Sequence, residues 1–314
     1  MEQIKVIIAV ATFNSGKYLE ELLNSLFTQT YHNIEIVVRD DGSSDNTIDI
    51  VKRLCKTDSR IRLLNIENNL ASAKSNFFTL LTNIPMNKGE YLMFCDADDV
   101  WKADKVEKTL KAIISTESDY SDTTPIIVHT DLEVVDENLK VIAPSFFDYE
   151  KLSPERNSLR EILVQNNVTG CTVMINYCLR EMVQETPHDA VMHDWWLALI
   201  AAAFGHISVL NEQTIFYRQH GGNQIGAYNS GSITLGLKKI SDRAKMKNIY
   251  LSMYRQAACF LDCFKDLLNE EDKALVKGYA EMQYLSKLGK IRQIIKNKYY
   301  KNTLLRNIGQ FLIV

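Results

Sequence analysis

Four apolar, β-branched runs recur along the first hundred residues, at Val6–Val10, Ile34–Val38, Ile61–Ile66 and Tyr91–Phe94. Their centres lie roughly 28 residues apart, with helical patterns filling the gaps. Strand, helix and strand in that alternation leave few folds open, chiefly a parallel sheet with helices on its faces. In the first gap Leu19, Leu22, Leu23, Leu26 and Phe27 share one helical face. Ile48, Val51 and Leu54 do so in the second, and Phe77, Phe78, Leu80 and Leu81 fill the third. The expected class is α/β. Polar turns follow the first two strands, where open parallel sheets place their ligands.

Hydrophobic residues make up 46% of the 314 and charged ones 24%, which excludes a disordered or collagen-like chain. No apolar run reaches the 18 or so residues of a membrane span. The first run is short, follows Glu2 and has no cleavage-site pattern, so it reads as a strand and not a signal peptide. Six cysteines without CxxC spacing read as reduced thiols, which points to the cytoplasm. All five prolines lie between Pro85 and Pro187, and Gly221, Gly222, Gly226, Gly231 and Gly236 crowd together beyond them. From about Leu237 the pattern is helical. A boundary near 225–235 is expected, giving a catalytic domain over 1–228 and a mainly helical region over 229–314.

The densest chemistry lies at Asp96-Ala97-Asp98-Asp99, where a buried-strand pattern ends in three carboxylates within four residues. Like charges so close invite a cation, and oxygen ligands on a short turn suit Mg²⁺ or Mn²⁺. A solvated acidic turn capping the next helix is the competing reading. A second acidic turn, Asp40-Asp41-Gly42-Ser43-Ser44-Asp45, allows Asp45 or Ser44 to cap a helix. Capping leaves Asp40 and Asp41 without a role, and a strand-end carboxylate can accept the imide N–H of a pyrimidine.

Taken with Ala11-Thr12-Phe13-Asn14, these turns resemble the successive signatures of family 2 glycosyltransferases with the GT-A fold. The likeness continues through Thr169-Gly170-Cys171-Thr172, Met192-His193-Asp194-Trp195-Trp196 and Tyr217-Arg218-Gln219-His220. That set is similar to bacterial rhamnosyltransferases of cell-wall polysaccharide synthesis, and it spans roughly residues 4–228. The resemblance implies a Rossmann-like nucleotide-diphospho-sugar transferase sheet with a helical C-terminal extension. It puts Thr12, Asn14, Asp41, Lys74 and Asn76 in the donor pocket, with Ala71 standing where the family's Asn-Leu-Gly has glycine. It makes Asp96 and Asp98 the DxD pair, Asp98 holding Mn²⁺ or Mg²⁺ and Asp96 also facing the ribose. His220 joins the metal or the β-phosphate, and Arg218 a phosphate. Asp194 is the implied general base, and Asp99, Thr169, Gly170, Cys171, His193 and Trp196 the implied acceptor contacts. The glycine cluster reads as a lid over bound donor.

The expected activity is inverting transfer of a sugar, L-rhamnose from dTDP-L-rhamnose foremost, to a saccharide hydroxyl, with a lipid-linked acceptor. Another dTDP- or UDP-sugar, a nucleotidyltransferase and a non-catalytic nucleotide-sugar-binding protein are the alternatives. A nucleotidyltransferase would open with a glycine-rich basic loop, and here that loop offers only Gly16 and Lys17. No nucleic-acid partner is expected. From Lys287 onward there are seven basic residues and no acidic one, in a chain of net charge −3. With Leu288, Ile291, Ile295 and Tyr299 at helical spacing, and Leu304, Leu305, Ile308, Phe311 and Leu312 after them, the segment 287–314 reads as an amphipathic helix. Peripheral attachment to the inner face of the membrane follows, against packing on the catalytic domain or on a second subunit in a homo-oligomer.

Overall fold

The computed structural model describes residues 3–66, 72–221 and 243–314. The chain runs β1 (Val6–Thr12), α1 (Leu19–Phe27), β2 (Ile34–Asp40), α2 (Thr47–Leu54), β3 (Ile61–Leu63), α3 (Ala73–Asn83) and β4 (Tyr91–Asp96). Next come β5 (Val100–Trp101), α4 (Lys105–Glu117), β6 (Ile126–Val135), β7 (Val141–Ala143), α5 (Phe146–Glu150) and α6 (Leu159–Val164). A 3₁₀ turn over Gly170–Thr172 leads to β8 (Met174–Asn176), α7 (Tyr177–Glu181), α8 (His193–Phe204) and β9 (His206–Arg218). Four further helices follow: α9 (Arg243–Phe264), α10 (Glu270–Ala280), α11 (Lys287–Asn297) and α12 (Leu304–Ile313).

These elements form two compact, interleaved units. The first takes residues up to Phe146, Val168–Thr186 and Gly205–Gly226; the second takes Phe147–Asn167, Pro187–Phe204 and the C-terminal region. The expected boundary near 225–235, the glycines from Gly222 to Gly236 and Ala71 lie outside the described residues.

The first unit is built on one sheet in the order β3-β2-β1-β4-β8-β6-β9-β5, with β7 on β6. The strands β1 to β4 pair in parallel, Val6 opposite Ile34 and Tyr91. Every residue from Val6 to Val10 is fully buried, as a strand covered on both faces requires. The helical faces form largely as their spacing predicts. Leu19, Leu22, Leu23 and Leu26 are buried, as are Phe77, Phe78, Leu80 and Leu81. In α2 the core face is Thr47, Ile50, Val51 and Leu54, with Ile48 at its margin. Beyond β4 the sheet turns mixed. The short β8 runs antiparallel to β4, and β5 antiparallel to the end of β9, Val100 opposite Phe216. That last pairing brings the acidic turn after β4 against Arg218.

The second unit gathers α6 and α8 with the four C-terminal helices, so the helical region draws on earlier parts of the chain. Aromatic residues form its core. The rings of Tyr254 and Tyr279, and of Tyr279 and Tyr299, meet edge-on at 5.2 and 5.0 Å. Trp196 packs edge-on against Phe260 at 5.5 Å. The start of each C-terminal helix from α10 on is capped by a side chain. Asn269 accepts from Asp272 N–H, Ser286 from Gly289 N–H and Thr303 from Arg306 N–H. Among the described residues no helix is long and apolar enough to cross a membrane.

Candidate active site

The C-terminal ends of β1 and β2 carry a closed hydrogen-bond network. Arg39 and Asp41 form an ion pair at 3.1 Å, both side chains 1% exposed. Removing two charges from water is costly, and further hydrogen bonds to the pair offset part of that cost. Here Arg39 Nη1 also donates to Asn76 Oδ1 at 2.8 Å, and Asp41 Oδ2 accepts from Ser72 N–H at 2.9 Å. Asn76 Nδ2 in turn donates to the Thr12 carbonyl at 3.1 Å. Three of the expected donor-pocket residues, Thr12, Asp41 and Asn76, therefore meet, with Lys74 in the first turn of α3 beside them in sequence. Each Asp41 oxygen already accepts one hydrogen bond, so an imide N–H would share an oxygen with Arg39 or Ser72.

The role that capping left open for Asp40 is also clear. Its carboxylate accepts from Gly42 N–H at 3.1 Å, Ser43 N–H at 2.8 Å and Thr12 Oγ1 at 2.9 Å, which holds the turn closed. Asp45, one residue before the Asn46 N-cap of α2, accepts from Thr47 N–H at 3.0 Å and from Gly16 N–H at 2.9 Å. Asn14 sits at φ 48°, in the left-handed region where asparagine is tolerated. Its N–H donates to Ser43 Oγ at 2.7 Å, and its Oδ1 accepts from Ser44 N–H at 2.8 Å.

At the end of β4, Asp96, Asp98 and Asp99 converge. Ligand atoms of Asp96, Asp99 and Cys171 lie within 4.8 Å of one another. Asp98 Oδ2 lies 2.8 Å from His220 Nε2, joining the two residues expected to share a metal although 122 positions separate them. Burial, and next the negative charges of Asp98 and Asp96, push the Asp99 carboxyl well above its usual range. Burial likewise holds the Cys171 thiol neutral. Asp96 and Asp98 offer half-buried carboxylate oxygens suited to Mg²⁺ or Mn²⁺, with His220 a borderline nitrogen donor beside them, and a cation there would relieve the repulsion.

Two expectations meet a different geometry. Arg218, expected on a phosphate, turns its guanidinium to protein partners. Its side chain is 3% exposed; Nε donates to the Asp98 carbonyl at 2.7 Å, Nη1 to the Glu137 carbonyl at 2.6 Å and Nη2 to Glu21 Oε2 at 2.5 Å. Its backbone N–H donates to Asp99 Oδ1 at 3.0 Å, and the guanidinium lies over the Tyr18 ring. Arg218 thus braces the acidic turn. Of the expected acceptor contacts, Asp99 and Cys171 are enclosed in the first unit, so a saccharide cannot reach their side chains. Thr169 is half-buried beside the buried Gly170, its carbonyl accepting from Thr172 N–H at 2.9 Å.

In the second unit Asp194 stands in the first turn of α8, half-buried, its Oδ1 accepting from Trp195 N–H at 2.6 Å. Asp194 is the second residue of α8, inside the helix and past the N-cap position. Trp195 is anchored by its indole N–H, which donates to the Ile162 carbonyl at 2.6 Å. His193 and Trp196, expected at the acceptor, are both buried. Trp196 belongs to the aromatic core, and burial pushes the His193 imidazole down to about 3.

Sequence reasoning missed Arg39, Glu21, Tyr18 and Lys105. Arg39 had a signal, a charge directly after the apolar run of β2 and before two carboxylates; the others had none, because their partners are remote. Lys105 is fully buried, 4.5 Å from the Trp101 ring centroid and 3.5 Å from Thr214 Oγ1. Burial pushes its ammonium down to about 8, against the pull of Cys171, Cys95 and Asp99.

Comparison with known proteins fits this geometry. The family described as glycosyl transferase family 2 matches residues 7–185. An uncharacterized glycosyltransferase of Nostoc sp. is 28% identical over 70% of this chain and 66% of its own length. The dTDP-rhamnosyl transferase RfbG of Shigella flexneri is 27% identical over 77% of this chain and 78% of its own. Among solved structures, a Pyrobaculum calidifontis mannosyltransferase in complex with GDP-Man and Mn²⁺ superposes with a TM-score of 0.56 at 16% identity. That match covers 99% of this chain and 85% of the other, a likeness of fold. With a family match over more than half its length, on a GT-A sheet that ends in its acidic turn, this chain belongs to the family 2 glycosyltransferases.

Proposed function

We propose that the chain is an inverting, metal-dependent transferase that moves a hexose from a dTDP- or UDP-linked donor to a saccharide hydroxyl. L-Rhamnose from dTDP-L-rhamnose is the donor we favour, supported by the 27% identity to the Shigella rhamnosyl transferase. The acceptor is lipid-linked, in cell-surface polysaccharide synthesis at the inner face of the membrane. The observation that carries the reading is the meeting of Asp98 with His220 at the end of β4, in a family 2 chain.

Asp96, Asp98 and His220 hold the divalent ion, which when bound supplies Lewis acidity and charge neutralisation for the departing diphosphate. Thr12, Asn14, Asp41, Lys74 and Asn76 line the nucleoside side of the pocket. Arg218 acts one step back, fixing Asp98 through its carbonyl. Asp194 takes the proton of the acceptor hydroxyl as its oxygen bonds to the anomeric carbon and the bond to the diphosphate breaks. A single displacement needs no second nucleophilic carboxylate. Thr169 contacts the acceptor.

The test is release of nucleoside diphosphate from a panel of dTDP-, UDP- and GDP-sugars with Mn²⁺, with a rhamnose-accepting lipid-linked saccharide present. Acceptor-dependent release of dTDP from dTDP-L-rhamnose is expected. Release from a different donor alone would overturn the rhamnose assignment, and release from none would overturn the transferase reading.

A further inference from the structure

The C-terminal helices were expected either to lie on a membrane or to pack within the protein, and in the second unit each of the last two has one buried face and one exposed apolar face. Ile294, Tyr299, Gln310 and Ile313 point inward and are buried, Tyr299 donating its hydroxyl to the Leu275 carbonyl at 2.6 Å. Leu288, Ile295, Leu304, Leu305, Ile308 and Leu312 point outward, between 48 and 79% exposed. On α12 the four outward residues fall at helical steps covering an arc of about 100°. Lys287 Nζ donates to the Leu312 carbonyl at 2.6 Å, bringing the start of α11 to the end of α12 and joining the two apolar strips.

The seven basic residues divide likewise. Lys290 and Lys301 stand over the rings of Tyr254 and Tyr250, and Arg306 pairs with Glu150 at 3.0 Å. Lys287, Arg292, Lys296 and Lys298 are exposed. Arg292 and Lys296 share the outward arc of α11 with Leu288 and Ile295. Apolar side chains ringed by cations, with no acidic residue anywhere from Lys287 to Val314, match one kind of surface.

We propose that the outward faces of α11 and α12 form a docking surface for an anionic lipid bilayer, the leucines and isoleucines entering the acyl boundary and the four cations meeting acidic headgroups. A second copy of the chain fits this face poorly, because a two-fold contact would set both groups of four cations against each other. The inference rests on the transferase reading only for its purpose, which is to hold enzyme and lipid-linked acceptor on one surface.

Deleting the tail would strip buried residues from the core, so point variants on the outward face are the test. The full chain is sedimented with phosphatidylcholine vesicles with and without phosphatidylglycerol, and turnover is measured in parallel on a soluble saccharide acceptor. Binding is expected only with phosphatidylglycerol and should weaken with salt. Arg292→Gln with Lys296→Gln should reduce the partition coefficient by on the order of 30-fold. Leu304→Ser with Ile308→Ser should abolish binding. Neither pair should change the melting temperature by more than a degree or two or alter soluble-acceptor turnover. Equal binding to uncharged vesicles, unchanged binding by the Arg292/Lys296 pair, or a dimer that both pairs dissociate would overturn the proposal. Since turnover on the soluble acceptor is read separately, a native chain that turns over but never binds the phosphatidylglycerol vesicles refutes the docking surface and not the transferase.

Discussion

Replacing Arg218 by lysine separates a brace from a phosphate ligand. The guanidinium donates to two backbone carbonyls and to Glu21, and no ammonium at the end of a lysine stem can reproduce that planar fork. A hydrogen bond from a charged donor contributes roughly 1.5–3 kcal/mol, and a lysine keeps at most one of the two carbonyl bonds. Glu21 is half exposed, so its pair adds no more than about 1 kcal/mol. Arg218→Lys should therefore cost roughly 2–4 kcal/mol, a sizeable share of a domain's usual ~5–15 kcal/mol. Because the Nε bond holds the Asp98 carbonyl, Mn²⁺ affinity should weaken along with stability. Urea denaturation, and Mn²⁺ titration followed by the melting temperature, read the two effects. A variant with native stability and native Mn²⁺ affinity that loses only donor affinity would show that Arg218 does bind phosphate, and the bracing argument would fail.

Asp98→Asn should abolish turnover and Mn²⁺-dependent donor binding, because a neutral amide cannot replace the lost charge; full activity in the variant, or in the native chain with EDTA, refutes the metal assignment. Asp194→Asn should lower turnover by on the order of 10²–10⁴ with donor affinity little changed; lost donor binding would place Asp194 elsewhere in the chemistry. Acid should destabilise the fold through its buried histidines. Burial pushes His129 down to about 4, while an unfolded imidazole takes its proton near pH 6.5. Between those values the unfolded chain holds more protons, so stability falls as pH drops from about 6.5 to about 4, by roughly 3 kcal/mol for His129 alone. His129→Gln should flatten that part of a melting temperature against pH curve, and an unchanged slope would exonerate this residue.

The parallel half of the sheet was legible because its strands are buried on both faces, and uninterrupted apolar runs carry that fact locally. β3 ended at Leu63 and not Ile66, since only its first three residues find ladder partners on β2. The acidic turn was legible for a similar reason, three carboxylates in four residues having few uses. What the residues around it do was not. Arg218 and Glu21 lie 197 positions apart and Arg39 and Asn76 lie 37 apart; composition and spacing say nothing of such pairings. The same blindness misread Trp196, since an aromatic beside a proposed base looks equally suited to a sugar and to a core. In the tail, periodicity showed that a sticky face exists but not that two sticky faces point in opposite directions.

The first two loops are stitched together by hydrogen bonds between backbone and side chain. Ser15 N–H donates to Thr47 Oγ1 at 2.8 Å and Gly16 N–H to Asp45 at 2.9 Å, beside the paired Asn14 contacts to Ser43 and Ser44. A side chain at position 16 would put its Cβ 1.8 Å from Asn46 Oδ1. For anyone redirecting donor choice by exchanging segments between relatives, residues 12–16 and 40–47 are therefore one cassette. Transplanting either alone leaves backbone N–H groups of one parent facing side chains of the other. A chimera carrying both inherits a finished pocket wall.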